Sequence, residues 1–255
     1  MASISQTKAA ILSDSWLVPR RFVHRSIYSK GNQMVMNILP HTAEHGDDIV
    51  LENLSRGGLT LENIINNREN ILQRWVDIRP QVTLIHALGC DIANNNASSN
   101  TQGSGPSYVH GIFRALHQML DFMKSKMNTT EYFKWNRKHK FILVAAPDWG
   151  EFPKTRPNSL NALQYRSLRS KINQQLKKKR VKFWREVNTL VLTPRMNNAQ
   201  LLGVHLETES QRAFNQHIIQ SIGRVLCNKC SLEKLETSKR LERALVEGCS
   251  ASGRV

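Results

Sequence analysis

A serine hydroxyl becomes a nucleophile when an imidazole stands ready to take its proton and donors face the oxyanion that forms. The chain of 255 residues carries parts for such a site in two distant segments, Ile11-Leu12-Ser13-Asp14-Ser15 and Leu202-Gly203-Val204-His205-Leu206. The first is an apolar run that stops at two hydroxyls and a carboxylate. The second is a turn-like glycine followed by a histidine that opens an amphipathic helical pattern. Ser15 is the candidate nucleophile and His205 the candidate base. At the end of a strand, Ser15 would also turn its own backbone N–H into the crevice at the carboxyl edge of a sheet. Ser55-Arg56-Gly57-Gly58-Leu59-Thr60 offers an unobstructed glycine amide at the next loop, where a side chain would block a substrate oxygen. A third turn, Leu88-Gly89-Cys90-Asp91, brings Gly89 and Asp91, which with Asp14 are supporting candidates. Asp91 is expected to cap the turn that follows, or to bond the loop of Ser15, rather than to react.

Such residues need a rigid frame, and the chain supplies one by alternating short apolar runs with amphipathic helical patterns, as βαβ units do. Strands are expected at 9–12, 33–38, 49–54, 82–88 and 141–146, with a further extended segment at 181–184. Helices are expected at 60–77, 109–127, 162–179 and 209–226, from apolar residues three or four apart. The run from Asn94 to Ser107, rich in Asn, Ser and Gly, reads as a mobile loop, and the segment from Pro147 to Pro157 as irregular. One domain is expected over 1–226, with a C-terminal helical extension and tail over 227–255.

The net charge of +16 is uneven: between Lys154 and Arg185 lie eleven Lys or Arg and no Asp or Glu. Arg169, Lys171, Lys177, Lys178, Lys179, Arg180 and Lys182 would attract nucleic acid or another acidic surface through counterion release. The plainer reading is a solvated helix face, with Leu163, Leu168, Ile172 and Leu176 turned to the core. No apolar stretch approaches the ~20 residues that cross a bilayer, and the start of the chain lacks a signal-peptide pattern, so an intracellular, cytoplasmic protein is expected. Four cysteines are too few and too bunched for a disulfide framework. Cys227 and Cys230 have ligand-pair spacing, but a zinc site wants four ligands, and no metal or other cofactor is expected. His24, His41, His45, His86, His110, His117, His139 and His217 read as surface or core residues.

The order strand and serine, strand and glycine, strand and Gly-x-Asp, then a late Gly-x-His resembles the SGNH, or GDSL-like, hydrolase superfamily over about residues 9–226. The resemblance implies a three-layer α/β/α sandwich, flavodoxin-like in outline, with a parallel sheet of about five strands. It implies a serine esterase or acyl hydrolase acting on a small ester or acyl substrate. In it Ser15 falls at the nucleophile, Gly58 or Gly57 at the oxyanion-hole glycine beside the Ser15 amide, and His205 at the base. The chain departs from the pattern at three places: Ser13 replaces a glycine, Cys90 stands where the family has an oxyanion-binding Asn, and Leu202 stands where a carboxylate orients the histidine. Loss of one oxyanion donor costs on the order of 10²–10³ in turnover and loss of the orienting carboxylate roughly 10⁴. The alternative is a non-catalytic binding protein that keeps the fold and engages a polyanion. The Arg56-Gly57-Gly58-Leu59-Thr60 turn and the basic helix before Phe183-Trp184 are similar to SGNH-like domains of animal mobile elements.

Overall fold

Uncharged runs such as Ala9-Ala10-Ile11-Leu12 and Val82-Thr83-Leu84-Ile85 suit strands covered on both faces. The computed structural model describes residues 8–25, 27–30, 33–37, 48–94, 105–146, 162–186, 189–192, 201–202 and 205–226. Its main sheet contains β1 (Lys8–Ser13), β2 (Ile27–Lys30), β3 (Gln33–Asn37), β4 (Asp48–Asn53), β5 (Val82–His86), β6 (Lys140–Val144) and β7 (Thr189–Leu192), in the order β2-β3-β4-β1-β5-β6-β7. The five strands β4, β1, β5, β6 and β7 are parallel. This is the expected α/β fold, extended by a hairpin: β2 and β3 pair antiparallel to each other, and β3 antiparallel to β4. The run at 33–38 was expected as a strand of a parallel sheet, but β3 pairs antiparallel on both sides.

The helices are α1 (Leu61–Ile65), α2 (Ile71–Ile78), α3 (Leu88–Asn94), α4 (Gly105–Ser125), α5 (Thr129–Lys138), α6 (Ala162–Glu186) and α7 (Thr208–Leu226). A two-residue hairpin, β8 (Leu201–Leu202) with β9 (His205–Leu206), precedes α7. Side chains of β5 show how the layers divide: Thr83 accepts a hydrogen bond from Trp75 of α2, whereas His86 meets the ring of Phe214 of α7. Since alternate residues of a strand face opposite ways, α2 and α7 cover opposite faces. Helix α4 packs against α1, α2 and α6 on the face of α2.

Several expectations are corrected. The helix expected over 60–77 is two, because Asn67, Glu69 and Asn70 take positive φ; the Asn67 carboxamide oxygen then accepts the Leu72 and Gln73 amides at the start of α2. The extended segment expected at 181–184 is the last part of α6, where a stretch free of Gly and Pro lets the helix run through Phe183 and Trp184 despite their β preference. Leu163 is 76% exposed, and Tyr165, Ile172 and Leu176 form the buried stripe. Leu88-Gly89-Cys90-Asp91 is the first turn of α3 rather than a loop, and α4 starts at Gly105, inside the loop expected over 94–107; Pro106 is tolerated in a first turn because the amide there has no helical acceptor. The rest of that loop, the segment 147–157 and the extension 227–255, with Cys227 and Cys230, lie outside the described residues. Helix α5 was missed, although Asn128 and Glu131 are a start signal and the Asn128 side chain accepts the Glu131 amide at 2.9 Å.

Candidate active site

In a parallel sheet the crevice lies beyond the carboxyl ends of the strands, where the winding changes direction, here between β1 and β5. Ser15 is the second residue after β1. The backbone ladder runs on past the strand on both sides: Asp14 N–H donates to His86 O at 3.1 Å, and Arg56 N–H to Ser13 O at 2.8 Å. The first bond ties the serine turn to β5 and the second ties it to the glycine turn after β4. The Asp14 carboxylate, 1% exposed, accepts the Trp16 amide at 3.0 Å and so closes the turn that carries Ser15.

His205 comes from the other end of the chain. It lies in β9, three residues before α7, rather than in the helix itself. Its Nε2 is 2.9 Å from Ser15 Oγ, within hydrogen-bond reach. The two proposed residues are therefore brought together. The ring is held below the ordinary histidine value, first by desolvation, then by the Arg21 guanidinium, with Arg20 adding a smaller push and the Asp14 carboxylate opposing both. A neutral imidazole is the form that can accept a proton.

Helix α7 fixes this distance. Gln211 and Asn215, one turn apart, reach the loop after Ser15: Gln211 Nε2 donates to Trp16 O at 2.9 Å, and Asn215 Nδ2 to Arg21 O at 2.7 Å and Val23 O at 3.1 Å. Phe214, between them, packs edge-on against Trp16. Sequence reading missed these two residues, although polar side chains among Phe214, Ile218 and Ile222 on a helix's apolar stripe were a visible signal.

His86 was assigned to surface or core, and it is core, 1% exposed. Its Nδ1 lies 3.3 Å from Asp14 Oδ1 and 3.2 Å from Ser13 Oγ. A carboxylate can only accept, so Nδ1 is the ring nitrogen suited to carry a proton. The ring braces both residues that precede the nucleophile.

Gly57 and Gly58 are exposed at the turn after β4, and neither amide donates to an acceptor among the described residues. A Cβ at either would meet nothing within 4 Å, so crowding by the protein is not what calls for glycine; at Gly58 a φ of +70° is. Cys90, at the place of the family's Asn, donates its thiol to Asp14 Oδ2 at 3.5 Å and thus faces the serine turn. Asp91 accepts the Leu61 amide with both oxygens, at 3.1 and 3.0 Å, so it caps α1, an earlier element, rather than the turn that follows it or the loop of Ser15. Desolvation pushes its carboxyl up to about 7, against the pull of that amide. Gly89 is in the first turn of α3.

Among the described residues no carboxylate bonds His205; Leu202 pairs opposite it in the hairpin, and Glu207 and Glu209 are exposed. No group of three His, Cys, Asp or Glu among them could hold a metal ion. No helix among them is long and apolar enough to cross a membrane. Of the basic residues, Arg169 Nε donates to Ala146 O at 3.1 Å and Lys171 is exposed. Lys177, Lys178, Lys179, Arg180 and Lys182 lie on α6, with side chains outside the described ones.

No protein-family model and no curated protein matches the sequence. Solved structures do match the fold. An acylhydrolase candidate from Bacteroides fragilis aligns with a TM-score of 0.50 at 16% identity, over 88% of this chain and 90% of the other. A candidate GDSL-like lipase from Parabacteroides merdae gives 0.50 at 10% identity, over 86% and 96%. The fold is that of the SGNH, or GDSL-like, hydrolases.

Proposed function

We propose that the chain is an SGNH-type serine hydrolase acting on esters. The observation that carries this reading is the 2.9 Å approach of His205 Nε2 to Ser15 Oγ at the carboxyl edge of the parallel sheet. His205 takes the hydroxyl proton as Ser15 Oγ bonds the ester carbon and the carbonyl electrons move onto its oxygen. The amides of Ser15 and Gly58 receive that oxyanion. The carbon–oxygen bond to the alcohol then breaks, and His205 gives the departing alcohol its proton. A water attacks the acyl-Ser15 by the same path and releases the acid. With Cys90 a weak donor and no carboxylate among the described residues bonded to His205, turnover is slow.

The test is reaction of the protein with a fluorophosphonate probe, read by mass spectrometry. Labelling at Ser15, absent in Ser15→Ala and His205→Ala, is the expected result. Absence of labelling at every pH from 6 to 9 overturns the reading and favours the second one, a non-catalytic SGNH-fold binding protein. That second reading is supported by Cys90 and Leu202, which replace the donor and the acid; its partner would be an acidic surface or nucleic acid meeting cations such as Lys171 on α6.

A further inference from the structure

Residues 14–25 form a coiled loop between the nucleophile and β2. Leu17 N–H donates to Asp14 O at 3.4 Å, and the Arg21 and Phe22 amides both donate to Val18 O, at 2.8 and 3.0 Å. Phe22 is buried, which turns Arg20 outward and leaves Arg21 half-buried. The Asn215 bond to Arg21 O fixes this stretch to the helix that follows His205. Two cations thus stand on the loop of Ser15, fastened to the element of the base.

Arg56 is paired with Glu69 and Arg74 with Glu52, but among the described residues no carboxylate pairs with Arg20 or Arg21. Both act through space on His205. When the imidazole takes the serine proton it becomes a cation beside these two guanidinium groups, whose repulsion, opposed in part by the Asp14 carboxylate, raises the barrier. A negative group on the substrate would remove the penalty in the same step. Guanidinium groups suit the task, since they hold a carboxylate or phosphate through paired, charge-assisted hydrogen bonds.

We propose, building on the hydrolase reading, that the substrate is an ester bearing an anionic group near its scissile bond, received by Arg20 and Arg21. The anion contributes to binding and, because it offsets charge that appears only as the base is protonated, to kcat as well.

The experiment compares kcat/KM for matched esters. One pair places the charge in the acyl part, 4-nitrophenyl hemiglutarate against 4-nitrophenyl butyrate; the other places it in the alcohol part, 4-acetoxybenzoate against its methyl ester. The expected result is a preference for the charged member of one pair by about 10–100-fold, which also says which side of the bond faces the arginines. The preference falls with added salt, falls to about one or below in Arg20→Gln/Arg21→Gln, and is partly kept in Arg20→Lys/Arg21→Lys. Hydrolysis of the neutral esters with no charge preference in either pair overturns this proposal alone. A preference that survives Arg20→Gln/Arg21→Gln does the same. Absence of turnover on all four esters together with absence of probe labelling overturns the hydrolase reading and this one with it.

Discussion

At Ser15 and His205 two opposing influences set the working pH. Burial and the guanidinium groups of Arg21 and Arg20 hold the imidazole below its usual 6.5, while Asp14 pulls the other way. Only the neutral ring can take the serine proton, so labelling by the phosphonate is full at neutral pH and is lost as pH falls through the lowered value. The midpoint of that loss lies below 6.5, and in Arg21→Gln it moves upward, because one lowering influence is gone; a pH series of labelling rates measures both. The Cys90 thiol is a weak donor pointed at the serine turn. Replacing it by the family's amide, Cys90→Asn, is expected to raise kcat by up to about 10²-fold through an added oxyanion donor, measured on a neutral aryl ester. An unchanged kcat would mean that the amide does not reach the oxyanion.

Between elements, the decisive contact is α7 against the loop after β1. Asn215 is 1% exposed and spends both amide hydrogens on carbonyls of that loop. Asn215→Ala is expected to lower stability by about 1–2 kcal/mol in denaturant unfolding and to slow labelling at Ser15 by up to about 10²-fold, since small displacements of a reacting pair are costly. A variant that loses stability but labels at the normal rate would show that the loop keeps its place without α7. This contact was not legible in the sequence, because nothing local links Asn215 to Arg21, 194 positions away. Ser15 and His205 could be proposed from sequence because each closes or follows a short apolar run, a position where α/β proteins commonly place chemistry. The split of the first long helix was hidden for the opposite reason: its apolar spacing continues across Asn67 and Asn70, and only the backbone angles break it.

Across the whole molecule a buried polar chain ties α2 to β5 and to the residue before β6. Trp75 Nε1 donates to Thr83 Oγ1 at 2.8 Å, and that hydroxyl lies 2.9 Å from His139 Nε2. The hydroxyl accepts from the indole and donates to a neutral ring. His139 is 2% exposed, and burial lowers its value to about 3. The unfolded ring titrates near 6.5, so the folded state binds the proton less readily; this contribution is complete above 6.5 and is lost as pH falls from there towards 3. Thr83→Val keeps the shape but strands the indole N–H and the ring nitrogen, and is expected to cost about 2–4 kcal/mol in denaturant unfolding at pH 7. A loss under about 0.5 kcal/mol would show that water has taken the hydroxyl's place. Four of the five parallel strands, β1, β4, β5 and β6, were readable from short apolar runs between helical patterns, whereas β7 (Thr189–Leu192) was not expected; the antiparallel hairpin β2–β3 was not readable either, because Ile27–Lys30 is mostly exposed and carries almost no apolar signal.

The acid–base pair joins residues 190 positions apart, and the base arrives after all seven strands of the main sheet. If the proposed pair is catalytic, a chain emerging from the ribosome has its candidate nucleophile from the outset yet stays chemically silent until translation has passed the hairpin of β8 and β9. On the hydrolase reading, release of an acyl product would report that synthesis has run as far as α7, the last helix among the described residues.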